Sequence, residues 1–287
     1  MIKIGDIEID FVMDGVFHTD AGGPFGLTPR ALYQGTYPPD ANNLVPMTIN
    51  CLLVRANGKT IVVDTGLGGN LTEKQIRYWN LIRPQGTLIE GLAKHEIAPE
   101  DVDIVINTHL HGDHCGGNVI LEGTTIRPAF PRAQYYTQRR EYDEAMQPNE
   151  RTRATYFPMN YRPLVESGQM HLLDGDTEIV PGITGVIARG HTPAHMCIQF
   201  SSHHQQALYM ADLASFTVHL ERLGWMTAFD VEPLYTLESK RKWASWAVEQ
   251  DALILWEHDP LVRAGKLLHD GERYRVETVE PQPGWKS

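Results

Sequence analysis

The stretch "VDIVINTHLHGDHCGGN", residues 102–118, constrains this 287-residue chain more than any other. A short apolar run bounded by polar residues reads as a buried strand, and this one runs directly into His109, His111, Asp113 and His114. Side chains alternate along an extended backbone, so His109 and His111 point the same way. Gly112 lets the chain turn. Asp113 and His114 then open a helix or loop on the far side of the same small space, and Gly116 and Gly117 leave room for close packing. Such a geometry supplies two nitrogens to one cation, and an oxygen and a nitrogen to a second. Imidazole and carboxylate donors suit zinc, iron, manganese or cobalt.

One loop cannot complete two cation sites. Three more donors each follow an apolar run: His191 after "GVIARG", Asp212 after "ALYMA" and His258 after "LILWE". Donors at strand ends are held by a rigid sheet. His195, in "GHTPAH", is an alternative to His191, although Pro193 between them disfavours a shared helical face.

The rest of the chain reads as strands interrupted by helices. "MTINCLLVRANGKTIVVDTG" is two apolar runs around Asn57-Gly58, a hairpin signal. A helix is expected over residues 87–97, with Leu88, Leu92 and Ile97 on one face. "AQYYT" reads as a strand and "RREYDEAM" as a short helix. Residues 147–164 read as a long surface excursion. "MHLLD", "GITGVIA", "MCIQF" and "ALYMAD" read as strands. Residues 236–250 form the strongest helix, with Thr236 as candidate N-cap and Trp243, Ala244 and Ala247 on one face. Residues 252–260 read as a last buried strand, stopped by Pro260. The pattern indicates a mixed α/β layer architecture.

Composition excludes several roles. A formal net charge of −11 disfavours a nucleic-acid or anionic-membrane surface. No apolar run has membrane-spanning length, and "MIKIGDIEID" holds no signal-peptide core. Cys51, Cys115 and Cys197 are odd in number and widely spaced, which fits a reducing, cytoplasmic location.

"THLHGDHCGGN", "GHTPAH", the Asp in "YMADLAS", the His in "WEHDP" and "VVDTG" together resemble, in order, the motifs of the metallo-β-lactamase-fold metallohydrolases. The resemblance covers nearly the whole chain. It implies a four-layer αββα sandwich, one domain over residues 1–287, and two divalent metals, zinc first, at one edge of the two sheets. Carried over by residue, His109, His111 and His191 bind the first metal, and Asp113, His114 and His258 the second. Asp212 bridges both, and a hydroxide shared by the metals attacks an ester, lactone, thioester, amide or phosphoester carbonyl or phosphoryl group. Asp113 and Asp212 are the carboxylates expected to take part in catalysis. Asp64 is expected to hold ligand loops, and Cys115 to pack.

Ligand identity narrows the implied chemistry. β-Lactamases of this fold commonly carry Cys where Asp212 stands, and two-iron redox relatives carry an acidic residue at the His111 position. Thioesterases with the same ligands add a helical domain after the last His, where this chain has only a short tail. The ligand set is most similar to that of quorum-quenching acyl-homoserine lactonases, although their Tyr three residues after the bridging Asp is Ser215 here. A lactone or related ester with an apolar part is therefore the expected substrate. Phosphotriester and thioester hydrolysis are alternatives, as is a mononuclear iron dioxygenase acting on persulfides, or a degenerate member that only binds. Phe216, Leu220, Trp225, Met226 and Phe229 are candidates for an apolar cleft wall, and Tyr156, Phe157 and Tyr161 for a lid. Tyr156 or Tyr161 is a candidate replacement for the missing Tyr. "GGPFGLTP" (22–29) is a candidate contact for a homodimer.

Overall fold

The computed structural model describes residues 1–284. Two seven-stranded sheets and a small separate hairpin make up the strand content. The first sheet runs, edge to edge, Ile2–Ile4, Ile7–Asp20, Leu44–Ala56, Lys59–Val63, Ile104–Ile106, Gln134–Gln138 and Met170–Leu173. The second runs from Thr177–Val180 through Ile183–Ile187, Met196–Ser202, Gln205–Tyr209, Leu253–Leu255 and Val262–His269 to Tyr274–Pro281. Antiparallel pairings build half of the first sheet and all but one pairing of the second, as at the Asn57-Gly58 hairpin, where both turn residues have positive φ, 53° and 70°.

The sheets face each other because their strands carry apolar residues on both faces. Ile61, Val63, Ile104 and Ile106 of the first sheet pack with Ile198, Phe200, Tyr209 and Leu255 of the second. The intervening residues Val62 and Val105 turn outward against Leu88, Leu92 and Ala145 of helices Leu88–Lys94 and Arg139–Met146. On the other side Leu208, Ile254 and Trp256 meet Trp243, Ala244 and Ala247 of helix Pro233–Glu249. The result is the αββα order of layers.

Each sheet holds a parallel pair at the place where the donors emerge. Val63 is in register with Ile106, and Tyr209 with Leu255. Asp64 follows the first pair directly and His109 lies three residues on, while Asp212 and His258 each lie three residues beyond the second pair. All four therefore leave the C-terminal ends of parallel strands, the edge at which open α/β sheets build sites.

Several local expectations need correction. The helix expected over 87–97 spans only Leu88–Lys94, because Thr87 and Glu90 form a capping box at its start and His95 ends it, leaving Ile97 outside. The strongest helix begins at Pro233, whose fixed φ suits the first helical position. Thr236 is inside it and is no cap. The apolar runs at 102–108 and 252–260 contain strands of three residues each, the remainder turning into the site. The 147–164 segment is no simple surface excursion. It runs into helix Arg162–Glu166 and buries Tyr156, Asn160 and Tyr161. Cys51, Cys115 and Cys197 are free and buried. Among the described residues no helix is long and apolar enough to cross a membrane.

Candidate metal centre

The 108–118 loop is held against the strand before it. Asp64, with φ of 55°, accepts hydrogen bonds from Thr108 N–H (2.8 Å) and the Thr108 hydroxyl (2.7 Å). Thr65 N–H donates to the His114 carbonyl at 2.7 Å. The Gly116-Gly117 pair is required here, since a Cβ on Gly117 would lie 2.3 Å from the Thr65 carbonyl oxygen. The short helix Gly112–Cys115 starts immediately after His111 and turns His114 back into the interior.

Asp64, His114 and Glu257 form one wholly buried set of possible donors behind the loop. Two further groups lie in front of it: His109, His111, His191 and Asp212 each offer an atom within 4.8 Å of the others, and so do Asp113, His114 and His258. Asp212 reaches both of these groups. Its Oδ2 lies 3.1 Å from His191 Nε2 and 3.3 Å from His114 Nε2, and its Oδ1 lies 3.1 Å from His258 Nε2. The histidines are buried, whereas the Asp113 side chain keeps 14% of its exposure.

The hydrogen positions implied by the outer ring nitrogens are informative. His258 Nδ1 lies 2.6 Å from the Thr48 carbonyl and must donate to it. His191 Nδ1 faces Asp230 Oδ1 at 3.2 Å. His114 Nδ1 faces Asp64 Oδ2 at 3.1 Å and Glu257 Oε2 at 3.0 Å. A neutral ring that donates outward turns a lone pair inward. The inward nitrogens sit very close: His109 Nε2 and His191 Nε2 are 3.1 and 3.0 Å from His111 Nδ1, and His114 Nε2 is 3.3 Å from His258 Nε2. Facing lone pairs repel unless a proton or cation lies among them, so the donor set fits two borderline cations. His111 is less constrained, since its Nε2 is buried without a partner.

Charge follows the same geometry. Burial opposes an ionised Asp212, but His191, His258 and His114 hold it well below the usual carboxylate range. Burial likewise opposes a charged His191, yet Asp212 and Asp230 push it up to about 10. For His258, Asp212 and Glu257 outweigh burial and push it up to about 9. Burial pushes Glu257 up to about 7, with His114 working the other way.

Asp64 stands behind His114 and Thr108, and Cys115 belongs to neither donor group. Burial raises the Cys115 thiol, which donates to the Leu110 carbonyl at 3.3 Å. His195 also belongs to neither group: its Nε2 accepts the Asp212 backbone N–H at 3.2 Å. Ser215 is committed as well, its Oγ donating to Asp212 Oδ1 at 3.0 Å. Asp230, Glu141 and Glu257 were not singled out in the sequence. None follows an apolar run in the way His191 or Asp212 does, apart from Glu257, whose neighbour His258 drew the attention.

The nest forms the floor of a cavity of about 480 Å³, reached by His111, Asp113, His191, Asp212 and His258. Its apolar wall comes from Phe17, Leu44, Met47, Trp79, Phe229 and Val231. Trp79 is set edge-on against Phe17 at 5.1 Å. Of the expected wall residues only Phe229 lines this cavity, because Phe216 and Leu220 are wholly buried against neighbouring core residues and Trp225 and Met226 lie elsewhere. The lid expectation also fails. Tyr156 donates to Glu141 and Tyr161 to the Ala145 carbonyl, both at 3.0 Å, so neither is free to meet a substrate, and Phe157 does not line the cavity. The roof is instead Arg151–Thr155, pinned by Arg151 to the carbonyls of Ala228 (2.9 Å) and Asp230 (2.8 Å).

Known proteins resemble this chain to different degrees. An N-acyl homoserine lactonase of Bacillus cereus is 26% identical over 234 residues, covering 76% of this chain and 83% of its own. A probable metal-dependent hydrolase of Staphylococcus aureus superposes with a TM-score of 0.88 at 29% identity, over 96% of this chain and 98% of that one. The dizinc quorum-quenching lactonase AidC, in complex with the product N-hexanoyl-L-homoserine, superposes at 0.80 with 20% identity over 96% of each chain, a likeness of fold. Residues 44–255, which carry the first motif and all but the last histidine of the nest, match the metallo-beta-lactamase superfamily, and the chain belongs to that family.

Proposed function

We propose that the chain is a dinuclear metal-dependent hydrolase that opens a lactone or a closely related ester bearing an apolar group. The observation that carries this reading is the pairing of two donor groups, joined by Asp212, with an apolar cavity directly above them. His109, His111 and His191 would hold one cation, Asp113, His114 and His258 the other, and Asp212 both. When bound, such a pair of cations acidifies a water and polarises a carbonyl oxygen. The similar lactonases support the substrate class.

The chain's own groups then have defined work. Ser215 and the His195-bound backbone N–H fix the orientation of the Asp212 carboxylate. Asp113, the least buried donor at the cavity floor, is placed to hold the proton lost by the attacking water and return it to the leaving alkoxide. A water oxygen forms the new bond to the carbonyl carbon, the ring or ester C–O bond breaks, and the proton ends on the leaving oxygen. Phe17, Met47 and Trp79 receive the apolar part of the substrate and exclude water from it. The test is a screen of the zinc-loaded protein against acyl lactones, aryl esters, thioesters and phosphotriesters. Fastest turnover of an acyl lactone or ester supports the reading. Turnover confined to phosphotriesters or thioesters refutes the substrate class, and oxygen consumption with persulfides on a single iron refutes the hydrolase reading.

A further inference from the structure

Glu141 lies in the first turn of helix Arg139–Met146 and is wholly buried. It belongs to neither donor group, yet three hydrogen bonds end on its carboxylate. Oε1 accepts from the Leu110 backbone N–H at 3.1 Å and from the Tyr156 hydroxyl at 3.0 Å. Oε2 accepts from the Thr192 hydroxyl at 2.5 Å. The three partners are not scattered. Leu110 sits between His109 and His111, and Thr192 follows His191. Tyr156 pairs with His111 as an isolated β-bridge, its ring 4.9 Å from the imidazole. One carboxylate therefore touches all three segments that carry or brace the histidines of the first group. None of its three bonds comes from a residue that backs the histidines of the second group: His114 faces Asp64 and Glu257, and His258 faces the Thr48 carbonyl.

A buried carboxylate is costly, and an apolar residue of similar size often stabilises a fold as well. Glu141 is satisfied by donors that converge from three separate stretches of chain, which a residue serving only its own helix would not need. The same bonds reach the cavity roof. Thr155 accepts the Gly112 N–H at 3.0 Å, immediately before Tyr156, and Thr152 and Thr155 line the cavity.

We propose that Glu141 is the positioning residue of the first cation site, setting the spacing of His109, His111 and His191 and, through Tyr156, coupling the cavity roof to them. The proposal rests on the dinuclear reading above. It predicts that removing the carboxylate damages one cation site and spares the other, because outer partners of ligands typically change metal affinity by about 10–100-fold.

The experiment is zinc binding to the metal-free full-length protein by chelator competition, for wild type, Glu141→Ala, Glu141→Gln and Tyr156→Phe. Wild type is expected to bind two zinc ions. Glu141→Ala is expected to weaken one binding step by about 10–100-fold and leave the other within about threefold. Glu141→Gln keeps an acceptor for Leu110 and Tyr156 and an amide for Thr192, and should restore most of that loss. Tyr156→Phe should fall between. Hydrogen exchange gives a readout independent of activity: zinc should slow exchange across residues 152–156 in wild type and not in Glu141→Ala. Should Glu141→Ala fail to fold, Thr192→Val and Tyr156→Phe, each removing one bond, must each weaken a single zinc step. Unchanged zinc affinities, or equal loss at both steps, overturn the proposal. A wild type that cannot bind two zinc ions overturns the dinuclear reading itself.

Discussion

The floor and the wall of the cavity are built in opposite ways. On the floor, side chains are buried and held from behind: His191 by Asp230, His114 by Asp64 and Glu257, His258 by the Thr48 carbonyl. The wall is assembled from strand Ile7–Asp20, strand Leu44–Ala56, helix Glu73–Trp79 and the segment around Phe229, and no residue of that helix is buried. Floor residues have fixed partners, so a change there removes a position that nothing else can fill. Wall residues touch by shape alone, and their neighbours can adjust. The chemistry should therefore be brittle and the specificity pliable.

Asp212→Ala is the harshest test of the floor. It removes the anion common to both donor groups, and positioning and electrostatic terms are each worth several kcal/mol. Hydrolysis of the best substrate should fall by at least about 10³-fold, one metal should be lost on elemental analysis, and the circular dichroism of the fold should persist. Full activity with both metals retained would reduce Asp212 to an ordinary buried turn residue.

Acidity probes the same floor without mutation. His191 is pushed up to about 10 and His258 to about 9, against an ordinary value of 6.5. A cation must displace those protons, so its affinity should rise with pH, by up to about tenfold per unit for each proton released. Proton release on zinc binding, measured by calorimetry in two buffers, checks this. The sign for the metal-free fold is opposite. Raised values mean that the folded chain holds more protons than the unfolded one, so this stabilisation is full below about 6.5 and is lost as pH rises through 9 and 10.

Asp64→Ala acts one step further back. It removes the acceptor for Thr108 and one carboxylate partner of His114, and should weaken zinc binding by about 10–100-fold. An Asp64→Ala protein with wild-type zinc affinity would show that Glu257 alone suffices to orient His114. Trp79→Ala should have the smallest effect. It opens the wall beside Phe17 and should raise KM for a long-chain substrate by about tenfold, ~1.4 kcal/mol, with kcat nearly unchanged. A large fall in kcat would mean that the wall helps align the reacting carbonyl, blurring the contrast with the floor.

The same contrast explains what could be read from sequence. His109 to His114 lie within one loop, and Asp64, His191, Asp212 and His258 follow apolar runs, so a local pattern marks each. A mixed α/β architecture was legible for the same reason, since buried strands and amphipathic helices are local signals, whereas the αββα order of layers came from the resemblance of the motifs to a known family. The wall was not. Phe17, Met47 and Trp79 meet only through tertiary packing, and Phe216, an equally plausible aromatic, stacks on Tyr37 at 4.9 Å inside the core instead. Glu141 was missed because its three partners are distant in sequence, and a Glu in the first turn of a helix ordinarily reads as a dipole or capping residue.

If the floor holds two cations joined by Asp212, the metal content per chain shows it, by elemental analysis of the protein loaded with excess zinc and freed of unbound ion, alongside Asp212→Ala treated identically. Two zinc ions are expected in wild type and one in the variant. A single ion in both, with undiminished hydrolysis, would contradict the joined pair.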